Sequence, residues 1–294
     1  METSMININN LSKYYGKSRG IEDINLEVSE GDIFGFIGPN GAGKSTTIRI
    51  LLNMIFPTSG TASIMGMDVI KDSKKIKYHI GYIPSDANLY DKMDVQEFLK
   101  YCGNFYKIKN CDQRIAELAE WLELDLKRKM AELSMGNKKK VSIVQSLIHS
   151  PKLLILDEPT TGLDPLMQAK FFELLHAENT KGVTIFFSSH VLSEVQTFCK
   201  NVAIIKDGKI IKVENIETLR KKQLKKVTIS FSEMPTENIG ISGIESIISN
   251  AGNMLSFMYS GDINELTGYL SKKKIDNLVI EEPSLEEIFL HYYQ

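Results

Sequence analysis

Gly38-Pro39-Asn40-Gly41-Ala42-Gly43-Lys44-Ser45-Thr46 decides how the rest of this chain is read. It fits the spacing G-x-x-x-x-G-K-[ST], in which consecutive backbone N–H groups cradle phosphate oxygens. Glycines let the main chain curl and bring its donors close to an anion. Lys44 adds a charge beside the β- and γ-phosphates, and the Ser45 hydroxyl offers a ligand to Mg²⁺. The flanks agree: residues 32–37 are apolar enough for a buried strand, and residues 45–52 suit a helix whose N-terminus faces the anion. The loop specifies nucleotide binding and leaves the purpose of the nucleotide open.

Further along, Leu153-Leu154-Ile155-Leu156 runs into Asp157-Glu158-Pro159-Thr160. An apolar parallel strand delivers carboxylates at its C-terminal end, where strand ends meet ligands. Asp157 is then placed to bind Mg²⁺, directly or through water, and Glu158 to polarise an attacking water as general base.

Composition bounds the rest. The chain has 294 residues, 43% apolar and 24% charged, with a formal net charge of −2, as in an ordinary soluble globular protein of one or two domains. That balance gives no basic footprint for nucleic acid. Cys102, Cys111 and Cys199 form no C-x-x-C pair, so free thiols in a reducing compartment are expected. No apolar run approaches the ~20 residues needed to cross a bilayer. A cytoplasmic protein is expected, serving a membrane only through a partner chain.

Around the loop, residues 5–9 and 21–28 have strand character and are joined through Ser12-Lys13-Tyr14-Tyr15-Gly16. Residues 61–64, 80–83, 183–187 and 202–205 add strands, the last turning at Asp207-Gly208. Between about 86 and 150 the period becomes helical, with Phe98, Leu99, Cys102, Phe105 and Tyr106 on one face and Ile115, Leu118, Ala119 and Leu122 on another. The basic stretch 220–226 marks a boundary. Beyond it, strands at 227–231, 254–259 and 277–280 alternate with helices at 264–270 and 284–292, the last opened by a Ser284–Glu287 capping box. The division expected is a nucleotide-binding domain over 1–215 and a small α+β accessory domain over 216–294.

Over residues 5 to about 213 the chain resembles the ATP-binding subunit of an ABC (ATP-binding cassette) transporter. Five further stretches carry the likeness. Leu133-Ser134-Met135-Gly136-Asn137 stands at the family signature, usually L-S-G-G-Q; the resemblance implies that Ser134, Gly136 and Asn137 hold the γ-phosphate of a nucleotide on another copy. Thr161-Gly162-Leu163-Asp164-Pro165 is similar to the loop that communicates across the dimer, with Asp164 its acid. Ser188-Ser189-His190 is similar to the switch segment, with His190 on the γ-phosphate. Tyr15 resembles the aromatic that stacks on adenine, with Tyr14 its competitor. Ser85, with Asp86 beside it, replaces a glutamine that in the family reaches Mg²⁺ and the attacking water. Lys138, Lys139 and Lys140 either add positive charge near the trans nucleotide or form an exposed helix face.

The resemblance implies a P-loop cassette with an antiparallel β subdomain and a helical subdomain, ATP and Mg²⁺ as ligands, and a head-to-tail dimer. It also implies an integral-membrane permease as partner, through a segment including residues 89–98, and no nucleic acid. The ending Glu282-Pro283-Ser284-Leu285-Glu286-Glu287-Ile288-Phe289-Leu290 is similar to cassettes of drug, antibiotic and peptide exporters, including bacitracin- and daunorubicin-resistance ATPases and phenol-soluble-modulin exporters. Two other classes fit the sequence less well. A soluble cassette ATPase of ribosomes or DNA usually carries two cassettes in one chain. A guanine-nucleotide switch needs N-K-x-D, and Asn137-Lys138-Lys139-Lys140 lacks the Asp.

Overall fold

The computed structural model describes residues 4–85, 92–108, 110–221, 225–232, 241–281 and 283. The chain divides into two compact units, Met1–Asn215 and Ile216–Gln294.

The first unit opens with two long strands, β1 (Ser4–Tyr15) and β2 (Ser18–Ser29), then β3 (Ile33–Ile37) and α1 (Lys44–Leu51). β4 (Ser59–Ile64), β5 (Met67–Asp68), α2 (Ser73–Lys77) and β6 (Ile80–Ile83) follow. A helical stretch holds α3 (Val95–Phe105), α4 (Cys111–Trp121) and α5 (Met135–Leu147). The unit ends with β7 (Leu153–Asp157), α6 (Pro165–Thr180), β8 (Thr184–Ser189), α7 (Leu192–Phe198), β9 (Asn201–Lys206) and β10 (Lys209–Asn215).

Six strands form the central sheet in the order β10-β9-β3-β8-β7-β6. All are parallel except β10, which runs antiparallel to β9. β3, β7 and β8 are buried at every position, as parallel strands covered on both faces must be. Because β8 lies between β3 and β7, three strand ends open side by side at one edge. They deliver the phosphate loop after β3, Asp157 and Glu158 at the end of β7, and Ser188-Ser189-His190 at the end of β8.

A second, antiparallel sheet has the order β2-β1-β4-β5. Ile6, Ile8 and Leu26 from it share one buried cluster with Ile48 and Leu51 of α1 and with Phe36, Ile155 and Phe186 of the central sheet. Phe36 and Phe186 pack with ring centroids 5.3 Å apart, seating the loop between them and α1 on a stiff base. In α3 and α4 the apolar residues recur at helical spacing: Phe98, Leu99 and Cys102, then Ile115, Leu118 and Ala119 are buried. All three cysteines are free and buried, and burial pushes the Cys102 thiol up to about 11.

The second unit contains α8 (Ile216–Lys221), β11 (Lys225–Phe231), β12 (Ile244–Ala251), β13 (Met254–Tyr259), α9 (Ile263–Leu270) and β14 (Ile275–Glu281). Its antiparallel sheet, in the order β12-β13-β11-β14, buries Val227, Ile229, Phe231, Phe257 and Tyr259 with Leu266 and Leu270 of α9. The Asp262 carboxylate caps α9 by accepting from the Asn264 N–H at 2.7 Å.

Two expectations change. Ser12 to Tyr15 belong to β1 rather than to a connection. The alternation lapses because Asn10 takes φ 48° and the pairing of β1 with β2 shifts register between Ile8 and Leu11. β12 is an added strand: its pattern is mostly exposed, with Ile247 and Ile248 facing out, so it lacks a clean apolar face. Asp86, residues 89–91, part of the basic stretch and the helix expected at 284–292 with its capping box lie outside the described residues.

Candidate active site

The loop after β3 is held by its own backbone and by the neighbouring strand ends. Ala42 N–H donates to Pro39 O at 3.1 Å, and Gly38 N–H donates to Ser189 O at 3.4 Å. Gly43 is the N-cap of α1 at φ 111°, a conformation open to glycine, and a Cβ there would meet Ile21 Cγ2 at 2.6 Å. No side chain caps α1, so its first N–H groups remain available to an anion. The Lys44 ammonium donates to Gly38 O at 2.7 Å and Pro39 O at 3.2 Å, and lies 3.4 Å from Glu158 Oε1.

Glu158 is the hub of the site. Its backbone sits at φ 48°, in the left-handed region that a glutamate rarely adopts, immediately after β7. The Glu158 N–H donates to Ser188 O at 3.1 Å and to Ser188 Oγ at 3.3 Å. That geometry carries the carboxylate between two cations or donors: Lys44 Nζ on Oε1, and His190 Nδ1 at 3.2 Å from Oε2.

Asp157 is 3% exposed, and Ser188 Oγ donates to its Oδ1 at 2.8 Å. Burial, and after it the Asp157 carboxylate, pushes the Tyr82 phenol up to about 12. Among the described residues no cluster of three or more His, Cys, Asp or Glu could hold a metal alone. The oxygen donors present, Ser45 and Asp157, match Mg²⁺ held by one or two protein groups together with substrate phosphates.

A cavity of about 330 Å³ brings Tyr15, Arg19, Asn40, Lys44, Thr46 and Glu158 to one surface. Tyr15, 47% exposed, lines it with Gly41, Gly43 and Ser45; Tyr14 does not. Arg19 is a lining residue that sequence reading missed. Its position four residues after Tyr15 carries no motif, and only the β1–β2 hairpin turns it back toward the loop. The Ser45 hydroxyl stands at the start of α1, and the Thr46 methyl packs against Gly20.

The remaining sequence-derived residues lie on other elements. Ser134 is the exposed N-cap of α5, its Oγ accepting from the Asn137 N–H at 3.3 Å. Gly136 approaches the Thr161–Asp164 loop so closely that a Cβ would lie 2.9 Å from Gly162 O. Asp164 caps α6, its Oδ1 accepting from the Met167 N–H at 3.0 Å, with Pro165 in the first turn. Among the described residues, Ser134, Gly136 and Asn137 do not line the cavity that holds Tyr15 and Lys44. Ser85 follows β6, and its carbonyl, rather than a reaching side chain, makes the recorded contact: Lys139 Nζ donates to it at 3.0 Å. Lys139 is only 2% exposed, so neither reading of the lysine triplet describes it.

Phosphate loop, paired carboxylates and a strand-end histidine on a parallel sheet define a nucleoside triphosphatase of the P-loop class. The ABC transporter family model matches residues 21–161. The chain is 33% identical over 299 residues to the bacitracin transport ATP-binding protein BcrA of Bacillus licheniformis, covering 98% of this chain and 97% of that one. It is 29% identical to the linearmycin resistance ATP-binding protein LnrL of Bacillus subtilis, over 98% and 97% of the two chains. The solved ATP-binding subunit of an ABC transporter matches it with a TM-score of 0.70 and 29% identity, over 74% of this chain and 92% of that one. A dimeric ATP-binding cassette solved in a post-hydrolysis state with ADP and Pi matches with a TM-score of 0.67 and 25% identity, over 72% and 99%. This chain belongs to the ABC transporter family, as one of its ATP-binding, ATP-hydrolysing subunits. Among the described residues, no helix is long and apolar enough to cross a membrane.

Proposed function

We propose that two copies of this chain close head-to-tail over two ATP molecules and drive a separate membrane permease that exports a drug, antibiotic or peptide. The observation that carries the dimer is the split of the phosphate-binding groups. Tyr15, Lys44, Ser45 and Glu158 line one cavity, while Ser134 stands exposed at the start of α5 and outside it. An exposed helix N-terminus with a hydroxyl is suited to meet a γ-phosphate presented by another molecule.

In each site Tyr15 stacks on the adenine, and residues 38–46 wrap the phosphates. Ser45 and Asp157 would hold Mg²⁺, with Ser85 or Asp86 standing where the family has its glutamine; the cation, when bound, would neutralise phosphate charge. Glu158 takes the proton of the attacking water, and His190 orients the Glu158 carboxylate and contacts the γ-phosphate. Ser134, Gly136 and Asn137 of the second copy complete the cradle, with Asp164 in the loop beside them. Loss of the γ-phosphate removes those contacts and reopens the pair. Residues 1–215 are the cassette and residues 216–294 an accessory domain.

The export assignment rests on relatives named for bacitracin transport and linearmycin resistance. Docking to the permease at the inner face of the cell membrane is supported by an open cavity of about 570 Å³. Lys71, Lys74 and Lys77 rim it, and Tyr78, Phe105 and Tyr106 give it an aromatic wall. An amphipathic, acidic segment of the permease fits that surface. Affinity isolation of the tagged protein from its native membranes tests the assignment. A multi-span membrane protein should accompany the wild type and be lost with Phe105→Glu, whose ATPase in isolation is retained. Equal recovery with the variant rejects the docking surface, and recovery of ribosomes instead rejects transport.

A further inference from the structure

Lys139 is among the largest fully buried side chains in the protein, although it sits in the triplet Lys138-Lys139-Lys140. Its ammonium donates to three backbone carbonyls: Pro84 O at 2.8 Å, Ser85 O at 3.0 Å and Glu158 O at 3.3 Å. Those carbonyls come from two segments far apart in sequence, one leaving β6 and one leaving β7. Lys139 itself belongs to α5, the 13-residue helix whose N-cap is Ser134. One side chain therefore ties the helix that meets the second nucleotide to the segment of Ser85 and to the peptide of Glu158.

The Glu158 peptide needs such support. At φ 48° its backbone is strained, and its N–H is already fixed by Ser188. Lys139 fixes the other end, the carbonyl, so the two anchors together set where the carboxylate points. Lys139 lies five residues beyond Ser134, about 7.5 Å along a rigid helix axis. A shift of the Ser134 end is transmitted to the ammonium, and hydrogen bonds near 3 Å tolerate little displacement.

The geometry points to Lys139 as a positioning residue that couples seating of α5 on the second copy's ATP to alignment of Glu158 in its own site. The inference rests on the head-to-tail reading above. It adds that the two ATP sites communicate through this side chain, so hydrolysis is cooperative because each Glu158 is set by contact with the opposite nucleotide. An apolar replacement of Lys139 leaves these three carbonyls without its ammonium and removes the coupling.

The test uses the full-length protein with Lys139→Met, and Lys139→Gln as a second variant that keeps two N–H donors without the charge. Steady-state ATPase, nucleotide titration and thermal melting are measured on each. Expected for Lys139→Met is a kcat about tenfold or more lower, a KM for ATP within about twofold of wild type, and a Hill coefficient falling toward one. Lys139→Gln falls between the two, and decides the question alone if the Met variant does not fold. The inference is overturned if a folded variant keeps wild-type kcat and cooperativity, or if wild-type hydrolysis is itself non-cooperative. It is also overturned if kcat falls only in step with a raised KM and a lowered melting temperature, the mark of a merely structural residue. A wild type without ATPase activity, or a Glu158→Gln variant with full turnover, brings down the underlying reading instead.

Discussion

His190 Nδ1 lies 3.2 Å from Glu158 Oε2, and the two residues leave the C-terminal ends of the adjacent strands β8 and β7. The contact orients a carboxylate whose other oxygen faces Lys44 at 3.4 Å. Removing the imidazole frees one oxygen to rotate away from the cavity. His190→Ala should lower kcat about 10²-fold with ATP affinity close to wild type, as read by steady-state hydrolysis and nucleotide titration. Unchanged turnover would remove His190 from the site.

Tyr15 and Tyr14 are adjacent in sequence and separated by the fold, because alternate residues of β1 face opposite sides and only Tyr15 reaches the cavity. Tyr15→Ala should weaken ATP binding by about 1–3 kcal/mol, the worth of one base stack, while Tyr14→Ala leaves it unaltered. Titration with a fluorescent ATP analogue separates the two. Equal losses would mean that neither ring is the adenine platform.

Away from the site, Glu178 on α6 is 3% exposed and pairs with Arg114 at 2.7 Å and Lys181 at 2.8 Å. Burial alone raises its pKa, but hydrogen bonds from Lys181 and Arg114 outweigh burial and hold it below the usual 4.5. A carboxyl with a lowered folded pKa contributes stability above its unfolded pKa and loses it as pH falls through the folded value. The wild type should therefore keep this contribution from neutral pH down to about 4.5 and lose it in more acidic solution. Arg114→Met should cost about 2–3 kcal/mol at pH 7, since Lys181 remains, and flatten the acid limb of stability against pH. A variant with the wild-type acid profile would contradict the assignment.

Much of this was legible in the chain because the informative residues lie at the ends of short, fully apolar strands. Residues 38–46 and Asp157-Glu158 each follow such a strand, and parallel pairing through β8 brings their ends together. What sequence hid depends on non-local geometry. Lys139 reads as solvated beside two other lysines, and its burial follows from the carbonyls of Pro84, Ser85 and Glu158 that the fold collects around it. The bulge at Asn10 broke the alternation of β1, and exposed isoleucines on β12 concealed a strand. Arg19 reaches the cavity only because the hairpin reverses the chain between Tyr15 and Ser18.

The central claim, that the phosphate cradle is completed by a second copy and emptied by hydrolysis through Glu158, is tested most directly by sedimentation of Glu158→Gln. With ATP and Mg²⁺ the variant should sediment as a dimer and hydrolyse ATP at least about 10²-fold more slowly than wild type. It should return to monomer with ADP, and with ATP once Ser134→Glu is added at the start of α5. A Glu158→Gln protein that stays monomeric with bound ATP, or that turns ATP over at the wild-type rate, would contradict the account.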